Sequence, residues 1–363
     1  MASNDVQVNS QLSGAISQQA TKRADRARKE DALVKGVFAL IALICASVIV
    51  FITVFVFYKG ILPFVKEYES VTNGGVNGSG KQSFVSFLTG SYWNAGEFDH
   101  AAGYLAVNTI YATLLSLVIS VPVSILASLF IVRVAPKGLG WALESGVELL
   151  ADIPSVIFGL FGMGVITAVV KNISQAWGIQ TSGGASLLSG VIVLSMMSMP
   201  TMILMSVTAM KSVNPNLINA SLALGATKTQ TDFKIVVSDA QSGIFAGLIL
   251  GIGRAMGEAT AIQMVIGNAM SGPTWNPFSI SATITTQMLM GIGEATPGTM
   301  GYDIRFSAGI LLMVLLIVVD YSLNRIKDTL YARRTGQKAP QSLLSKAFRK
   351  IFHISKKEAT GNE

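Results

Sequence analysis

The chain has 363 residues, 51% of them hydrophobic and only 13% charged, a balance that excludes an ordinary soluble domain and makes lipid its main solvent. Its one cysteine, Cys45, lies in an apolar run, and its two histidines, His100 and His353, are far apart, which argues against disulfides, a metal centre and any histidine-based triad. No catalysis by this chain itself is expected, and the formal charge of +7 points to nucleic acid only if orientation does not account for it.

Residues 1–35 are polar and rich in Gln, Ser and charge, and read as a flexible cytoplasmic tail rather than a signal sequence, whose basic region is short. A spanning helix needs about 20 apolar residues, and six segments reach or approach that length. Gly36–Tyr58 and Tyr104–Val132 are uncharged, and the third, over 150–170, joins Leu150 to Ile153–Val170. Leu187–Met210 is again uncharged, Ile244–Ile266 holds Arg254 and Glu258, and Phe306–Asn324 is interrupted only by Asp320. Lipid offers the backbone no hydrogen-bond partner, so each run is expected to be a helix, with Pro122, Pro154 and Pro200 as kinks or boundaries. The expected fold class is an all-α integral membrane protein with six transmembrane helices over residues 36–330.

Six crossings place both termini on one side. That side holds 21 of the 27 Lys and Arg residues, against five on the other (Lys59, Lys66, Lys81, Lys171 and Arg305) and Arg254 within the membrane, so both termini are expected in the cytoplasm. Orientation then accounts for the net charge, and no nucleic acid is required. In the basic tail 331–363, Leu343, Leu344, Phe348, Ile351 and Phe352 are spaced for an amphipathic helix that lies on the anionic inner leaflet or docks on a partner.

Gly75 and Gly80-Lys81 copy the spacing of a phosphate-cradling loop, but Gln82 stands where Ser or Thr must hold magnesium, and neither a preceding strand nor a following helix is expected. Gly251, Gly253 and Gly257 approach a dinucleotide loop with one residue too many, and they lie within the membrane. A packing role suits them better: Gly243, Gly247, Gly251 and Ala255 recur every four residues and make a smooth helix face, with Gly257 beyond them.

Arg254 and Glu258 are expected on one helix face near the middle of the fifth span. Two readings are open: a mutually neutralising structural pair, or an anion path in which Arg254 meets a tetrahedral oxyanion and Glu258 keeps it oriented. The segment 211–243 is long for a plain connection. It reads as a short helix from near Pro215, a break at Gly225, a second polar helix through Phe233, and Gly243 leading into the membrane.

Asn219-Ala220-Ser221-Leu222-Ala223-Leu224-Gly225-Ala226, then Phe233, Ile235 and Gly243-Ile244, resembles the coupling motif of binding-protein-dependent ABC importer permeases. Asn219 stands where that family usually has Glu, and Val237-Ser238 where it usually has Leu-Pro. Gly253-Arg254-Ala255-Met256-Gly257-Glu258-Ala259-Thr260, continuing into Met264-Val265-Ile266-Gly267-Asn268, is similar to the phosphate-importer permeases of the PstC type. Matches also occur over Phe84–Trp93, at Pro122-Val123-Ser124 and over Glu148–Ser155, so the resemblance covers about residues 36–330.

The resemblance implies the type I ABC importer permease fold in a multi-pass cell-membrane subunit. It implies that Asn219, Ala220, Ser221, Gly225 and Ala226 form a helix docking into an ATPase homodimer, which binds ATP and magnesium while this chain binds no cofactor. It also implies a second permease of the PstA type and an extracytoplasmic phosphate-binding protein. Residues 59–103 and 268–305 are the candidate docking surface for that protein: Glu67, Glu69, Glu97 and Asp99 allow a charge-steered contact, and an ordinary solvated loop is the other reading. The alternatives are a permease for molybdate or sulfate, an ATPase-independent channel or secondary transporter, and a membrane protein that signals phosphate.

Overall fold

The structure is a computed structural model and describes residues 2–72, 75–93, 98 and 100–335. The tail helix expected beyond 335, together with His353, Glu97 and Asp99, lies outside the described residues. The chain forms two compact units, Met1–Tyr58 and Lys59–Glu363.

The first unit is the greater part of α1, Ala2–Val65, whose stretch Val34–Val65 is long and apolar enough to cross a bilayer. Residues 2–35 are helical, which corrects the expectation of a flexible tail. They contain no proline and abound in Ala, Gln, Lys and Arg, and a helix already nucleated in the apolar run extends through such residues at little cost.

In the second unit the order is a hairpin, β1 (Tyr68–Thr72) and β2 (Gly75–Gly80), then α2 (Phe84–Thr89) and α3 (Gly103–Leu129). The phosphate-loop lookalike is strand β2, paired antiparallel with β1 and followed by α2. A strand does precede it and a helix does follow, against expectation, but its glycines lie extended in a ladder and form no loop that turns backbone N–H groups onto a phosphate.

A π-helical turn, Phe130–Val134, completes α3, giving a span Gly103–Val134 with Pro122 inside it. Then come α4 (Lys137–Asp152), α5 (Ser155–Phe161) and α6 (Thr167–Ala176), the last two joined by a π-helical turn into the span Ser155–Ala176. The third span therefore begins five residues later than the apolar run suggested, and residues 137–152 are a separate helix. Pro154 is the cause: Ile153 before it is held extended (φ −65, ψ 127), which ends α4.

α7 (Leu187–Lys211) carries Pro200 in its interior and starts at Ser186, whose hydroxyl accepts from the Ser189 N–H. α8 (Pro215–Ala223), α9 (Lys228–Thr231) and α10 (Val237–Asp239) lead to α11 (Gln241–Gly257), followed by α12 (Thr260–Gln263), α13 (Ile284–Leu289) and α14 (Met300–Thr335). Among the described residues five helices are long and apolar enough to cross a membrane, six if the pair Lys228–Asp239 and Gln241–Gly257, bent by 65°, counts as one span.

α14 begins earlier than its apolar run because its charges are satisfied within the protein. Asp303, 1% exposed, pairs with Lys59 at 3.3 Å and accepts from the Tyr68 hydroxyl at 2.8 Å. Burial, and then the Asp303 hydrogen bond and charge, push the Tyr68 phenol above its ordinary value, so it remains a donor. Arg305, also buried, gives its guanidinium to the carbonyls of Met290 and Gly301.

The bundle is centred on α3 against α7. Thr109, Thr113, Ser116, Ser120, Ser124 and Ser128 form a buried row along α3, and small side chains let the two backbones approach. Most of these hydroxyls bond carbonyls of their own helix, as Thr113 does to Thr109 at 2.8 Å, while Ser195 of α7 reaches the Ser116 carbonyl at 3.1 Å.

Candidate functional site

The fifth span is broken where its charges lie. α11 ends at Gly257, and Glu258 takes extended backbone (φ −73, ψ 128). Its carboxylate Oε1 accepts from Thr260 Oγ1 at 2.9 Å and from the Ala261 N–H at 3.1 Å, so it caps α12 and leaves α11. The Glu258 carbonyl accepts from Thr285 Oγ1 at 2.6 Å, which ties the break to α13.

Arg254 and Glu258 therefore do not share a helix face. They make no ion pair: among the described residues the pairs are Lys59–Asp303, Arg133–Asp232 and Lys211–Glu144. Among the described residues the half-buried Arg254 makes one long hydrogen bond, from Nη1 to Thr201 Oγ1 of α7 at 3.4 Å. At about 1.5 Å per residue, α11 spans less than the roughly 30 Å hydrocarbon core. Non-helical backbone at membrane depth is tolerated only where protein covers it or water lines it. Ala261, Ile262, Val265 and Ile266 are covered, whereas Gly257 and Thr260 are exposed.

The glycine row faces α7. A Cβ on Gly243 would strike Ala209, one on Gly247 would lie 2.7 Å from Met205 Cβ, and one on Gly251 would meet Met202. Gly257 differs, with nothing within 4 Å. Gly247→Leu is expected to cost about 1–3 kcal/mol by overpacking, seen as a lower melting temperature of the detergent-purified protein, while Gly253→Ala, in open space within the helix, does not lower it.

The segment 211–243 is built as a capped elbow. α8 starts at Asn214, whose side chain accepts from the Asn216 N–H, with Pro215 as its first residue. It ends at Leu224 and turns at Gly225, where φ +85 suits a residue without Cβ. α9 opens with a capping box of Thr227 and Gln230, and Ser221 meets Thr231 at 2.9 Å across the turn. Asn219, Ala220 and Gly225 are exposed, Ser221 and Ala226 partly so, and Leu224 is 89% exposed.

Two ion pairs hold this elbow to the bundle: Arg133 with Asp232 at 2.7 Å and Lys211 with Glu144 at 2.6 Å. The 65° bend falls at Ala240 with no proline between Lys228 and Gly257. Packing sets it: Val236, Ala240 and Ile244 lie buried against Leu129 of α3 and Met210 of α7.

At the opposite end the two long connections meet. The Trp93 N–H donates to the Met270 carbonyl at 2.7 Å and the Gly272 N–H to the Ser91 carbonyl at 2.9 Å. A bowl of about 500 Å³ lies over Ser91 and residues 269–276, and Glu67 and Glu69 are exposed. Thr201, Ser155, Thr260 and Thr285, which surround the break, were not foreseen, because a hydroxyl in a span carries no signal distinct from packing.

These features define a multi-span helical membrane protein with a broken span and a built elbow at one end, the organisation of a transport permease. Residues 101–332 match the family described as binding-protein-dependent transport system inner membrane component, and the chain belongs to that family, an ABC importer permease. It is similar to a probable ABC transporter permease protein, YqgH, of Bacillus subtilis, with 36% identity over 79% of this chain and 88% of that one. It is also similar to the phosphate transport system permease protein PstC of Xylella fastidiosa (30% identity, 66% of this chain and 76% of that one). For PstC 2 of Mycobacterium bovis the identity is 28%, over 68% and 81% of the two chains. A bacterial alginate ABC transporter structure aligns at TM-score 0.47 and 22% identity, over 65% of this chain and 80% of that one.

Proposed function

We propose that this chain is a permease subunit of an ATP-driven importer of inorganic phosphate. It forms half of the translocation path and joins it to a cytoplasmic ATPase. The observation that carries the reading is Arg254, a planar cation at the break of a span, with one long hydroxyl hydrogen bond and no carboxylate partner among the described residues, in a chain similar to phosphate permeases. An ionisable group at membrane depth marks a pathway when nothing neutralises it.

In this reading both termini are cytoplasmic, and α8 docks on an ATPase homodimer that holds ATP and magnesium. The path is shared with a second permease of the PstA type. A phosphate-binding protein docks at the opposite end, on the bowl by Ser91 and Met270, with Glu67 and Glu69 available for steering. ATP binding draws the ATPase subunits together and moves the elbow, which passes the motion into α11 through the Ala240 bend. Phosphate released from the binding protein meets Arg254, and hydrolysis on the partner returns the bundle inward.

The test is purification of the tagged chain in mild detergent together with labelled-phosphate uptake by membrane vesicles. An ATPase and a second permease are expected in about equal amounts with the chain, and uptake is expected to require ATP. Recovery without an ATPase, with uptake that persists when ATP is absent, overturns the proposal.

A further inference from the structure

Glu258 is a second charge at the break, and the inference from it rests on the anion path proposed above. The Glu258 carboxylate is half-buried, and among the described residues no Lys, Arg or His lies within ion-pair distance of it. Its Oε1 is fixed. A carboxylate only accepts, so Thr260 Oγ1 donates to it at 2.9 Å, and Ser155 Oγ, 2.9 Å from Thr260, must donate to Thr260 in turn. The Ala261 N–H adds a third anchor at 3.1 Å. Oε2 accepts no hydrogen bond from any described residue.

In the anion path proposed above, a carboxylate with no cation of the described residues within ion-pair distance repels every anion that passes. The exception is an anion that carries a proton on oxygen, because it can donate a charge-assisted hydrogen bond to Oε2. Hydrogen phosphates and hydrogen arsenates have such a proton at neutral pH. Sulfate has none.

We propose that Glu258 is a specificity-determining acceptor that admits protonated tetrahedral oxyanions and turns away fully deprotonated ones of the same size and shape. Arg254 then supplies the attraction and Glu258 the discrimination, which explains why the two do not neutralise each other. A hydrogen-bonding site rejects an analogue lacking the matching group far more strongly than size alone does, and the charge here adds repulsion.

The test uses the purified complex of this chain with its permease and ATPase partners and no binding protein, so that only the membrane site selects. Equilibrium dialysis with labelled phosphate, competed by arsenate or sulfate, reads the discrimination. In the wild type arsenate displaces phosphate and sulfate does not. Glu258→Gln, which removes the charge and adds a donor, is expected to improve sulfate competition at least about tenfold relative to arsenate. Thr260→Val, which frees Oε1 but keeps the charge, is expected to shift the ratio in the same direction by less, and it carries the test if Glu258→Gln does not assemble. An unchanged sulfate-to-arsenate ratio in an assembled variant overturns the role of Glu258. If the wild-type complex binds no phosphate, or Arg254→Gln binds it unchanged, the Arg254 path falls and the Glu258 filter with it.

Discussion

Arg254→Gln is expected to lower phosphate uptake roughly 10- to 150-fold with assembly intact, the loss of one charge-assisted hydrogen bond worth about 1.5–3 kcal/mol. Glutamine keeps a donor near Thr201 but loses the charge and the fork that fits two oxyanion oxygens. Arg254→Lys is expected to recover part of the rate, since the charge returns without the fork. The double variant Arg254→Gln with Glu258→Gln is the sharper measurement. In a structural ion pair each single loss leaves an unpaired charge and the double restores balance. Here Glu258 caps α12 and makes no ion pair with Arg254, so the double is expected to transport no better than Arg254→Gln. Wild-type uptake by Arg254→Gln, or rescue in the double, would return the arginine to a bracing role.

How far the fold was legible depended on what each signal measures. Hydropathy reports length and apolarity, so the span at Leu187–Lys211 was placed within a residue of its end. It says nothing of charges satisfied inside the protein, so the apolar run does not reveal that α14 begins ahead of Asp303 and Arg305, the first paired with Lys59 and the second wrapped in carbonyls. Period-four spacing assumes an unbroken helix. It foretold a glycine face whose first three members lie against α7, and it misplaced Glu258 because a carboxylate that caps the next helix can end the previous one. The elbow was legible from Pro215, Gly225 and the coupling motif. Its two ion pairs were not, since Arg133 and Asp232 are 99 residues apart and nothing in one predicts the other.

Leu224→Asp is expected to cut ATPase recovery and uptake together while leaving the permease itself as stable as before. Leu224 is 89% exposed at the end of α8, so a polar replacement costs the isolated chain no more than about 0.5 kcal/mol. In the proposed assembly this large apolar side chain, held in the open by a capped helix and a glycine turn, enters a groove of the ATPase. Burying it there makes it an anchor whose loss costs about 2–4 kcal/mol, or roughly 30- to 900-fold in affinity for the ATPase. Gly225→Val reaches the same end by another route. At φ +85 a β-branched residue is strained, so the α8–α9 turn and the Ser221–Thr231 contact are expected to be lost, and here the melting temperature falls as well. The contrast separates docking from folding. If Leu224→Asp retains the ATPase at wild-type levels and transports phosphate normally, α8 is not the docking element, and the force that drives the bundle must enter elsewhere along 211–243.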